Sequence, residues 1–181
     1  MRKALIPTML IAIALLAAPA AQAGVDAAAT FDQLKALEGT WTGTPEGMGE
    51  AAEEAEMMPA VVHEFKTSAA GTVVMETMNP GTDHEMINMY HLDGDDLVLT
   101  HYCAGGNQPK MRLNREASSA DNLVFDFAGG TNLDPAVDAH IHSANLRMLD
   151  DGSLDSIWQS HADGEPAGEM AFHLSRSDAS D

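Results

Sequence analysis

The chain has 181 residues, of which 28 are acidic and nine are Lys or Arg, giving a formal net charge of −19 at neutral pH. So acidic a surface repels nucleic acid and anionic lipid, which excludes polyanion binding from the expected functions. The single cysteine, Cys103, rules out an internal disulfide, so the fold must rest on its hydrophobic core.

The first 23 residues read as a secretory leader. Arg2 and Lys3 form a basic head, residues 4–18 are mostly apolar, and Ala21, Gln22 and Ala23 make a small-x-small cleavage site. The expected mature chain is therefore a single domain over residues 24–181, exported to the periplasm or the medium. No later segment is apolar for long enough to span a bilayer as a helix, so no membrane partner is expected after cleavage.

Residues 30–37 follow the pattern of a short helix. Thr30 is placed to cap it, Gln33 completes a capping box, and Phe31, Leu34 and Leu37 share one face. Gly39 is placed to end it. A helix this short must dock to persist, and the open end of a barrel offers a seat. The Trp41 strand begins at residue 40. Residues 45–59 lack apolar periodicity and are rich in Gly, Glu, Ala and Met, so they are expected to form a flexible or partly helical insertion near a barrel mouth.

From residue 60 onward, short alternating runs recur at 60–67, 72–78, 84–92, 96–103, 110–116, 122–128, 139–149, 153–161 and 168–175. Turn residues separate them, among them Asp93-Gly94, Asp151-Gly152 and Asp163-Gly164, a strong hairpin signal between alternating strands. With the Trp41 strand the count reaches about ten. The predicted fold is all-β: a ten-stranded antiparallel up-and-down barrel with a short N-terminal helix.

Gly39-Thr40-Trp41 after a short amphipathic helix, followed by about ten meandering strands, resembles the calycin group. That group holds lipocalins, fatty-acid-binding proteins and nitrobindin-like heme-binding barrels. The stretch from Met89 to Cys103, continuing into Gly106-Asn107-Gln108-Pro109, resembles a segment of uncharacterised exported bacterial proteins of this kind. The resemblance implies a lumen that holds a small ligand, with heme as one option. The nitrobindin pattern continues with a second Gly-x-Gly, and Thr44-Pro45-Glu46 departs from it.

Side chains alternate along a strand, so parity assigns the lumen face. It groups Val61, His63 and Phe65; Leu97, Leu99, His101 and Cys103; His140, His142, Ala144 and Leu146; Ser156 and Trp158; and Phe172 and Leu174. The expected lumen is apolar with a few polar groups that orient a ligand. The candidate contacts are His63, Tyr90, His101, His142 and Trp158. His63, His101 and one of His140 or His142 could converge as metal ligands, with Cys103 nearby, but imidazoles that find polar partners are the plainer reading, so no metal and no cofactor is expected. No nucleophile elbow is present, and Cys103 and His101 stand about 7 Å apart along one strand face. The expected partner is a small hydrophobic or amphipathic molecule. A heme-binding barrel and a small enzyme using an inward histidine as general base are the alternatives.

Overall fold

Alternation of apolar and polar residues shapes almost every element of the computed structural model, which describes residues 24–177. The leader expected at residues 1–23 lies outside the described residues. Ten antiparallel strands run in chain order: β1 (Gly39–Gly49), β2 (Val61–Ser68), β3 (Val73–Met78), β4 (Met86–Asp93), β5 (Asp96–Tyr102), β6 (Gln108–Leu113), β7 (Asn122–Thr131), β8 (His140–Met148), β9 (Leu154–Ala162) and β10 (Glu165–Arg176). Each pairs with its neighbours in sequence, and β1 pairs with β10, so the sheet closes on itself as a barrel. The predicted class, strand number and helix are those observed.

One end of the barrel is closed by helix α1 (Ala27–Ala36). It starts earlier than the expected Thr30, because Asp26 is its cap: the Asp26 carboxylate accepts from the Ala29 amide at 2.8 Å. Thr30 instead lies buried within the helix and donates its hydroxyl to the Asp26 carbonyl at 2.8 Å. Phe31, Leu34 and Leu37 are buried in the core. The Trp41 indole donates to the Leu37 carbonyl at 2.8 Å. The Arg176 guanidinium lies 4.5 Å over the Trp41 ring and donates to the carbonyls of Glu38 (2.6 Å) and Ala36 (3.0 Å). First strand, last strand and helix are thereby clasped at one point.

Residues 45–59 are partly helical, one of the two forms expected of them, and residues 45–49 extend the first strand. β1 continues to Gly49, paired with Gly168 of β10, and a second helix, α2 (Ala51–Met57), follows. The glycines that read as flexibility are sites of close approach. A Cβ at Gly47 would strike the Ala51 carbonyl, and one at Gly168 would lie 2.9 Å from the Ala51 nitrogen. They let α2 lie against β1 and β10.

A second difference concerns β8. Ile141 pairs with Ser160 and Ser143 with Gln159, so His142 is the extra residue of a β-bulge. Beyond the bulge, strict alternation no longer assigns faces, and His142 does not continue the row of Ala144 and Leu146. Register shifts again between Pro109 and Met111 of β6 and between Pro166 and Gly168 of β10, while most of the remaining face assignments stand. Val61, His63, Phe65, Leu97, Leu99, His101, Leu123, Phe125, Ser156, Trp158, Phe172 and Leu174 are all buried.

The clasp at α1 carries a prediction. Arg176→Met removes the stacking and both carbonyl contacts, and the protein is expected to lose about 1 kcal/mol of stability in urea unfolding, with the m-value unchanged.

Candidate functional site

The barrel end opposite α1 is built differently. Strand register places Glu76, Asn88 and His101 side by side on β3, β4 and β5, since Glu76 pairs with Asn88 and Asn88 with His101. His63 on β2 and Tyr90 on β4 flank this row. All five side chains are buried.

Their polar atoms form one relay. Glu76 Oε2 accepts from the Tyr90 hydroxyl at 2.7 Å and from Asn88 Nδ2 at 2.9 Å. Glu76 Oε1 lies 2.7 Å from His63 Nδ1. Asn88 Oδ1 lies 2.7 Å from His101 Nδ1. A carboxylate taken out of water is costly unless its oxygens find donors, and three surround this one.

The relay has two open ends. The Nε2 atoms of His63 and His101 are buried and have no hydrogen-bond partner among the described residues. The His63 ring stands 5.0 Å from Phe172, and the His101 ring 5.4 Å from Trp158. Burial pushes His101 down to about 4, against a smaller upward pull from Glu76. Burial, then the Glu76 charge, holds the Tyr90 hydroxyl well above the usual phenol range.

His101 and Trp158 form part of the wall of a cavity of about 270 Å³. The wall is mostly apolar, with Met78, Met86, Ile141, Met170 and Phe172, and Cys103 and Ser160 add polar atoms. Helix α2 contributes Ala51 and Glu54 on one side. A more open groove of about 370 Å³ runs past Met57, Pro59 and Pro80 on the outside. The two spaces share Glu54, Met58, Asn79 and His84 and so border one another.

Of the sequence candidates, the structure thus brings His63, Tyr90 and His101 into one network, and His101 and Trp158 into one cavity wall. His142 stands apart from both. Its ring stacks on His161 at 3.7 Å and on Phe127 at 4.6 Å, and its Nδ1 lies 3.1 Å from His140 Nε2. At that point of β8 it is Ile141 that lines the cavity. Burial, then the neighbouring imidazoles His161 and His140, push His142 below the usual histidine range. The envisaged convergence of His63, His101 and His140 or His142 does not form. Among the described residues no three His, Cys, Asp or Glu side chains are grouped so as to hold a metal ion.

Sequence reasoning missed Glu76 and Asn88. The signal was present in the alternation, because Glu76 lies between Val74 and Met78, and Asn88 between Met86 and Tyr90, on inward faces.

No protein-family model matches the chain, and no curated protein matches it. Among solved structures, it is similar to a protein of unknown function of the DUF3598 family from Nostoc punctiforme. The identity is 11% and the TM-score 0.44, over 80% of this chain. The chain spans about half, 49%, of that protein's length.

Two predictions follow from the relay. Glu76→Leu strands three buried donors, and stability is expected to fall by about 3–5 kcal/mol, against about 1–2 kcal/mol for Tyr90→Phe, as read by urea unfolding. The second concerns pH. His101 titrates near 4 when folded and near 6.5 when unfolded. The unfolded chain therefore binds the extra proton, so this contribution is complete above pH 6.5 and is lost as pH falls toward 4. It amounts to about 3 kcal/mol. Unfolding measured between pH 7 and 4 is expected to show that loss in the protein and a visibly shallower slope in His101→Phe.

Proposed function

We propose that the protein is an exported carrier or sensor that holds a small hydrophobic or amphipathic molecule, non-covalently, in the open half of its barrel. One observation carries the reading: a mostly apolar cavity beside an open groove, with His101 in its wall, whose buried Nε2 has no partner among the described residues. Apolar walls supply affinity by removing ligand surface from water, and a small number of fixed polar groups supply orientation. A buried polar atom without a partner forfeits about 1–3 kcal/mol, which a ligand that satisfies it recovers on binding. Export to the periplasm or medium belongs to the same proposal and rests on Arg2, Lys3, the apolar run and the Ala21-Gln22-Ala23 site.

The alternatives find less support. A general base works best when it titrates near the operating pH, and His101, depressed to about 4, is a weak base at neutrality. A heme needs an imidazole nitrogen and room for a macrocycle. His101 Nε2 meets the first need, but a cavity of about 270 Å³ lies below the range of about 300–1,000 Å³ usual for drug-sized ligands, and a porphyrin is larger than most of those. The size of the cavity favours a smaller ligand.

The test uses a neutral fluorescent probe, N-phenyl-1-naphthylamine, in the Trp41→Phe background, where Trp158 in the cavity wall is the remaining tryptophan. Saturable binding in a 1:1 ratio, with energy transfer from Trp158, is expected. Ile141→Trp fills the cavity and is expected to weaken that binding at least tenfold while the circular dichroism spectrum of the barrel is retained. Binding that is absent, or indifferent to a folded Ile141→Trp, would rule the reading out.

A further inference from the structure

The relay determines which kind of polar group the cavity accepts. Asn88 is the informative residue. Its Nδ2 faces two acceptors, Glu76 Oε2 at 2.9 Å and Met78 Sδ at 3.3 Å. That assigns the amide orientation and leaves Oδ1 facing His101 Nδ1 at 2.7 Å. A carbonyl oxygen accepts and cannot donate, so the proton sits on His101 Nδ1. Burial disfavours a second proton on this ring. Nε2 therefore carries a bare lone pair, buried and without a partner. The ring that bears it is part of the cavity wall.

The charges around the cavity point the same way. Among the described residues, no Lys or Arg contributes to its wall or to that of the neighbouring groove. Glu54 stands where the two spaces meet, and Glu76 lies behind the relay. An anionic head entering here meets a lone pair and negative charge and finds no cation to offset its desolvation. A head that carries an O–H or N–H meets an acceptor that has none.

We propose that the ligand is an uncharged amphipath with a hydrogen-bond donor at its polar end, such as an alcohol, a phenol or an indole, donating to His101 Nε2. Its apolar body lies against Met86, Met170, Phe172 and Trp158. The inference rests on the lumen-binding reading and narrows it: a carboxylate of the same chain length is rejected. His101 acts as the specificity-determining contact, and Asn88 and Glu76 act through it as positioning residues, holding the tautomer.

Calorimetry at pH 7 with four probes of similar size tests the proposal: 1-octanol, indole, octanoate and heptyl methyl ether, the last having an ether oxygen and no donor. Octanol and indole are expected to bind about tenfold more tightly than the ether and octanoate. In His101→Phe, the advantage of octanol over the ether is expected to vanish. Octanoate binding as tightly as octanol would overturn the ligand class while leaving the lumen reading standing. Failure of all four to bind would overturn both. Long-range ¹H–¹⁵N correlation spectra of the unsubstituted protein need neither a ligand nor a variant. An unprotonated Nε2 on His101 is expected, and a protonated one would overturn the assignment by itself.

Discussion

The carboxylate of Glu76, enclosed in the barrel, is the constraint on which much of this architecture depends. It is fully buried, and its oxygens are met by groups from two neighbouring strands: His63 on β2, and Asn88 and Tyr90 on β4. Asn88 passes the connection on to His101 on β5. Four consecutive strands are thus held in one register by polar contacts as well as by their ladders. A slip of one residue would turn each of these side chains to the opposite face and strand the carboxylate without donors. The relay specifies pairing in the half of the barrel where apolar packing is incomplete, so register there cannot rest on packing alone.

The two ends of the barrel are packed differently. At the α1 end, Phe31 and Leu34 of the helix close over a core that includes Leu97, Leu123, Leu146, Leu154 and Leu174. At the α2 end the same meander leaves a cavity bordered by methionines and aromatic rings. Methionine suits such a wall because its unbranched, polarizable side chain adapts to irregular shapes. The closed end supplies the buried apolar area that a domain without disulfides needs, which allows the other end to keep unfilled space and unpartnered polar atoms.

Much of this could be read from alternation. Ten strand-like runs and their turns led to a closed antiparallel sheet, and parity placed His63, His101 and Trp158 inside. The readings that failed share a cause: the sequence pattern was assigned a local meaning, whereas its meaning was set by a neighbour distant in sequence. Gly47 reads as flexibility along the chain, but in the barrel it lets α2 approach β1. His142 reads as inward along an ideal strand, but the pairing of β8 with β9 leaves it as a bulge. Glu76 reads as one more acid in a chain rich in them, and only three donors from other strands make it a buried one.

Sequence by itself determined the class of fold, the number of strands, the docking helix and which faces are apolar. Those properties follow from local periodicity, because a side chain's face depends on its own position in the strand. Tertiary structure decided the rest: the relay, the cavity and the groove beside it. Each of these depends on which residues of different strands stand opposite one another, and a hydrogen bond is sensitive to displacements of well under the 3.3 Å between successive strand residues. Register sets that geometry, and register exists only once the barrel has closed.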